Sequence, residues 1–104
     1  MNFEEYLESQ LHWSRETFGP DAGRWVGVLD HIKKELKEIE EDPSDLSEWI
    51  NLIILAIDGA WRATGATPKD ITECLRSKLL TNIARKWPDW KTVPSNTAIE
   101  HIKN

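Results

Sequence analysis

The segment from Leu46 to Trp61 constrains the fold more than any other. Leu46, Trp49, Ile50, Leu52, Ile53, Ile54, Leu55, Ala56, Ile57, Ala60 and Trp61 would cover almost the whole circumference of a helix. A helix apolar on every side belongs at the centre of a bundle. Glu48, Asn51 and Asp58 interrupt this pattern. At about 100° per residue, Glu48 and Asn51 lie about 60° apart and Asn51 and Asp58 about 20° apart, so the three share one stripe. Burying an unpaired carboxylate is costly. The stripe therefore faces solvent, meets basic partners, or holds a cation.

Helical patterns surround this rod on both sides. In the first, Phe3, Leu7, Leu11 and Ser14 form one stripe and Tyr6, Gln10, Trp13 and Thr17 the next, up to the breakers Gly19-Pro20. In the second, Val26, Leu29, Ile32, Leu36 and Ile39 recur at three- and four-residue spacing, opposite Lys33, Lys37, Glu40 and Glu41. Asp42-Pro43-Ser44-Asp45 reads as a helix start, with Asp42 capping and Pro43 in the first turn. Gly65 is a natural stop, and Thr67-Pro68 repeats the start signal. Ile71, Leu75, Leu79 and Ile83 mark the last stripe. The spacing predicts helices over about 3–17, 23–41, 43–64 and 68–86, then an irregular tail, 87–104, with a short helical turn near Thr97 to Ile102. No segment alternates with a two-residue period. The expected fold is all-α: a four-helix bundle, one domain over 1–104, with short connections and antiparallel neighbours. A chain of 104 residues is near the lower limit for a self-sufficient core, so oligomerisation would complete it.

Composition narrows the function. Net charge is −5, which disfavours a nucleic-acid polymer as partner. An acidic chain still accommodates a phosphorylated small molecule when divalent ions sit between the two. Cys74 is the single cysteine, which excludes an intramolecular disulfide and a Cys-rich zinc site and suits a reducing cytoplasm. His12, His31 and His101 have no zinc spacing. Met1-Asn2-Phe3-Glu4-Glu5 is acidic, so no secretory signal is expected. The apolar run from Trp49 to Ile57, interrupted by Asn51, is far short of the ~20 residues that span a bilayer, so no membrane partner is expected.

A second acidic pair gives the polar stripe its meaning. Glu35 and Glu38 sit one turn apart on the second helix, and Glu48-x-x-Asn51 follows on the third after nine intervening residues. A tight turn between antiparallel helices lets the pairs face each other, bringing three carboxylates and an amide oxygen together. An all-oxygen set of this kind favours a hard cation such as Mg²⁺ or Mn²⁺.

These residues, with Gly27-Val28-Leu29-Asp30-His31-Ile32-Lys33-Lys34-Glu35-Leu36, Leu55-Ala56-Ile57-Asp58-Gly59-Ala60-Trp61-Arg62-Ala63 and Ala84-Arg85-Lys86-Trp87-Pro88-Asp89-Trp90, resemble the MazG-like superfamily of all-α nucleoside triphosphate pyrophosphohydrolases. The dATP/dGTP diphosphohydrolase branch of short bacterial and phage proteins is the nearer match. The resemblance implies a MazG-like bundle acting as a homodimer or homotetramer in the bacterial or infected-host cytoplasm. It implies hydrolysis of a purine deoxynucleoside triphosphate, dGTP or dATP, to the monophosphate and pyrophosphate with Mg²⁺ or Mn²⁺. It assigns Glu35, Glu38 and Glu48 to the metal, with Asn51 where the family pattern has Asp. Asn51 keeps a carbonyl oxygen but lacks the charge.

Glu38 and Glu35 are the candidate catalytic carboxylates, with Glu38 taking the proton of the attacking water. Asp58 is a candidate further ligand, or an acceptor behind the ligands. Lys78, Asn82 and Arg85 share one face of the last helix and suit phosphate oxygens; a solvated basic edge explains the same spacing. Gln10 and Trp13 are candidates for reading and stacking on the base. Core packing is the alternative for Trp13, as for Trp25, Trp49 and Trp61. His31 is a candidate support for the carboxylates and Arg24 a candidate phosphate contact. Three other functions fit the same residues: a non-catalytic nucleotide- or protein-binding module with a degraded metal site, a purely structural helical oligomer whose tryptophans fill an interface, and the same chemistry on dUTP or a non-canonical triphosphate.

Overall fold

A computed structural model describes residues 1–103, and all regular structure among them is helical. The α-helices are α1 (Phe3–Phe18), α2 (Trp25–Glu41), α3 (Leu46–Thr64) and α4 (Pro68–Ala84), with 3-10 turns at Ala22–Arg24 and Trp90–Thr92. No helix among the described residues is long and apolar enough to cross a membrane. The chain forms two compact units, Met1–Thr72 and the stretch from Glu73 onward.

Local chemistry sets the helix ends. α1 opens with a capping box: Glu5 N–H donates to Asn2 Oδ1 at 2.8 Å, and Asn2 N–H donates to Glu5 Oε1 at 3.2 Å. α3 closes on Gly65, which is left-handed (φ 75°) and donates its N–H to Trp61 O at 2.9 Å. The link before α3 differs from the expected helix start. Asp42 ends α2, donating its N–H to Glu38 O at 3.1 Å, and Pro43-Ser44 form a turn. Asp45 is the cap, its Oδ1 accepting from Ser47 N–H at 3.0 Å. Helix α3 therefore starts at Leu46 rather than 43. Likewise, residues 22–24 form a 3-10 turn, with Asp21 Oδ1 accepting from Gly23 N–H at 2.8 Å, and α2 begins only at Trp25.

In the first unit α3 is the hub, packing along α2 and touching α1 and the Ala22–Arg24 turn. Helices α2 and α3 run antiparallel. Glu48 near the start of α3 meets Glu35 and Glu38 late in α2, whereas Gly59 lies against Val28 near the start of α2. A Cβ on Gly59 would stand 3.2 Å from Val28 Cγ1, so a larger residue there would press on Val28 where the two helices approach. Leu7, Leu11, Ile57 and Trp61 form the core, with Tyr6 and Ile71 packed against it.

Two expectations about burial need correction. The face of α2 turned inward carries Val28, Glu35 and Ile39, while Val26, Leu29 and Leu36 of the expected apolar stripe are exposed. Of the four tryptophans with a core alternative, only Trp61 is buried.

In the second unit Leu75, Leu79 and Ile83 are exposed. Helix α4 stops at Ala84, two residues before the expected end, because Pro88 disfavours helical backbone at Trp87 and the turn loosens ahead of it. The expected helical turn near Thr97 to Ile102 does not form. That segment lies back on the start of the tail: Ile102 N–H donates to Lys86 O at 2.8 Å, and the His101 ring meets Trp87 at 6.0 Å.

Candidate active site

The α2–α3 hairpin brings Glu35, Glu38 and Glu48 together, with one carboxylate oxygen from each lying within 4.8 Å of the others. Glu35 is 3% exposed, Glu48 half-buried and Glu38 exposed. Glu35 Oε1 and Glu48 Oε2 are buried without a hydrogen-bond partner. Hydrogen bonding to Glu35 raises the pKa of Glu48 above the ordinary value of 4.5. Glu38 opposes this by hydrogen bonding, while partial burial and the charges of Glu35 and Asp45 reinforce it. Three crowded carboxylates, two with an unpaired buried oxygen and none with a salt-bridge partner among the described residues, match the donor set of a hard divalent cation. The residues present thus fit Mg²⁺ or Mn²⁺.

Beside this cluster lies a cavity of about 400 Å³, lined from α1, the Ala22–Arg24 turn, α2 and α3. Its size falls in the usual range of small-molecule sites. Glu35 and Asn51 line it, Asn51 being exposed one turn beyond Glu48. From Glu35 the wall follows His31, Val28 and Gly27 back along α2, about 12 Å at the helical rise, to Arg24, Arg62, Phe18 and Trp13. Glu35 thus stands at one end and Arg24, Arg62 and the aromatic rings at the other.

Asp58 sits in the floor of this cavity and its carboxylate is fully engaged. Oδ1 accepts from Ser14 Oγ, from Trp61 Nε1 at 2.8 Å and from Arg62 Nε at 3.2 Å; Oδ2 accepts from Arg62 Nε at 3.2 Å. It is not among the three carboxylates that converge. Arg62 and Ser14, which hold the Asp58 carboxylate, are not among the residues expected at the site. Their signal was available: Asp58 and Arg62 are four apart on an otherwise apolar helix, the spacing of an ion pair.

Gln10 and Trp13 both line the cavity. The Gln10 amide is held at both ends, with Oε1 accepting from Tyr6 O–H at 2.6 Å and Nε2 donating to Ile54 O at 2.9 Å. Trp13 is 52% exposed, and the Phe18 ring meets it edge-on at 5.3 Å. Arg24 and His31 are exposed on the cavity wall. Lys78, Asn82 and Arg85 are exposed in the second unit, where Arg85 Nη1 donates to Asn82 Oδ1 at 3.2 Å.

No curated protein and no solved structure matches the chain. The family model described as dATP/dGTP pyrophosphohydrolase matches residues 6–104, which takes in the carboxylate hairpin, the cavity wall and the tail. With all but its first few residues matched, the chain belongs to the dATP/dGTP pyrophosphohydrolase family, and so to the nucleoside triphosphate pyrophosphohydrolases.

Proposed function

We propose that the chain hydrolyses dATP or dGTP, with Mg²⁺ or Mn²⁺, to the nucleoside monophosphate and pyrophosphate. The observation that carries this is the trio of carboxylates, two with buried unpaired oxygens, of which Glu35 lines a cavity that Trp13 and Phe18 also line. Glu35, Glu38 and Glu48 would hold the cation, with the Asn51 carbonyl oxygen as a fourth donor. A bound divalent cation supplies charge neutralisation for the phosphate oxygens and acidifies an attacking water. Glu38, the most exposed of the three, accepts the water's proton. Trp13 stacks on the base, Gln10 borders the same pocket, and Asp58 supports the floor. Lys78, Asn82 and Arg85 are proposed as phosphate contacts from their charge and spacing alone.

We further propose that the two units act as one family domain, that the chain is a homodimer or homotetramer, and that it works in the cytoplasm of a bacterium or of a phage-infected host. The exposed apolar faces, Val26, Leu29 and Leu36 on α2 and Trp49, Ile50 and Ile53 on α3, support self-association, since monomers rarely expose so much contiguous apolar surface.

The test is a panel of deoxynucleoside and ribonucleoside triphosphates with Mg²⁺ and Mn²⁺, products resolved by chromatography. Monophosphate and pyrophosphate from dATP or dGTP are expected. Glu35→Gln and Glu38→Gln should each reduce turnover at least about a hundredfold while the helical circular dichroism persists. Wild-type turnover in both folded variants would remove the carboxylates from the site. Nucleotide binding without pyrophosphate release would make the chain a binding module.

A further inference from the structure

Arg62 is 3% exposed, and its guanidinium ties together three pieces of chain. Nε bonds both oxygens of Asp58 on its own helix at 3.2 Å, Nη2 donates to Ser14 Oγ on α1 at 3.2 Å, and Nη1 donates to Gly19 O and Asp21 O at 2.9 Å each. The face of the group lies 4.4 Å from the Trp61 ring. The carbonyls it binds belong to the turn that ends α1. That turn runs through Gly19 at φ 86°, ψ 163°, a conformation almost restricted to glycine. Phe18 immediately precedes the turn and braces Trp13, and both rings line the cavity. Arg24 follows on the other side of the turn.

We propose that Arg62 is a positioning residue that sets the base-stacking wall of the site without contributing to the carboxylate end. This rests on the functional reading above. Along α3, Arg62 stands fourteen residues from Glu48, about 21 Å, and none of its bonds reaches a member of the acidic trio. Only the planar five-donor fork of arginine serves a carboxylate, a hydroxyl and two carbonyls together. Lysine at this position keeps a charge for Asp58 and releases the turn. Base grip and phosphate grip should therefore separate in an Arg62→Lys variant.

The experiment measures binding of the α,β-imido analogues of dATP and dGTP by calorimetry with Mg²⁺, and of inorganic tripolyphosphate as a probe without a base. Steady-state kinetics on dATP and dGTP accompany it. Arg62→Lys is expected to weaken the nucleotide analogues roughly tenfold to a hundredfold, the worth of a base–aromatic stack. KM should rise by the same factor with kcat nearly unchanged, and tripolyphosphate binding should be unaffected. Gly19→Ala provides a second variant. Its added Cβ meets no side chain or distant backbone within 4 Å, so it strains the turn through the backbone at φ 86° and introduces no steric clash. The same selective loss is expected there, including if Arg62→Lys fails to fold. Either folded variant binding nucleotides like the wild type, or losing tripolyphosphate and nucleotide equally, overturns the positioning role. A wild-type chain that binds neither nucleotide overturns the functional reading itself and takes this role with it.

Discussion

A carboxylate raised by crowding among its own kind responds to pH in a direction opposite to a carboxylate in an ion pair. With Glu48 raised above 4.5, the folded metal-free chain binds more protons than the unfolded chain between that value and the raised one. Stability from this source is present at low pH and lost as pH rises through the window. Melting temperatures of the metal-free protein should fall across it, by less in Glu48→Gln, and Mn²⁺ should restore the loss more strongly at higher pH. A Glu48→Gln variant with an unchanged pH profile would rule out Glu48 as the source of the dependence. Asn51 gives a second test at this scale. Asn51→Asp adds a charge at the fourth position and should tighten Mn²⁺ binding roughly tenfold, read by titration calorimetry; equal affinity would place position 51 outside the metal centre. The trio itself was legible because Glu-x-x-Glu followed by Glu-x-x-Asn fixes faces on two helices joined by a short link. Arg62 was harder to find, since its partners Ser14, Gly19 and Asp21 come from a segment more than forty residues away.

At the level of elements, α2 shows both what periodicity conveys and where it misleads. Its helical period and its end at Glu41 followed from spacing. The apolar stripe pointed to Val26, Leu29 and Leu36 as the inner face, yet the helix turns Val28, Glu35 and Ile39 toward its neighbours. Pattern arguments place apolar residues inside, and a site that draws a glutamate inward reverses that choice locally. Helix α3 has its own internal fastening. Asp58→Ala leaves the Arg62 guanidinium buried without its carboxylate, a change that costs about 3–5 kcal/mol. Urea unfolding should show that loss, and a shift of well under 1 kcal/mol would mean that the turn carbonyls and Ser14 hold Arg62 unaided.

For the molecule as a whole, the all-helical fold was readable from sequence, whereas the division at Thr72 was not, because it falls inside the unbroken period of α4. The exposed apolar faces of α2 and α3 carry the whole-molecule prediction. Ile53, 52% exposed, becomes charged in Ile53→Glu, which should raise the self-association constant Kd about tenfold or more, equivalent to about 1.4 kcal/mol. Sedimentation at several concentrations measures this, and an unaltered Kd in the variant, or a monomeric wild type, would remove that face from any interface. Glu35, Glu38 and Glu48 all lie within a single hairpin closed by residues 42–45. Contacts so near in sequence form early, because little loop entropy opposes them. The acidic nest therefore takes shape while much of the chain is still unstructured, and an ion captured at that stage would act as a folding nucleus, speeding refolding as well as slowing unfolding.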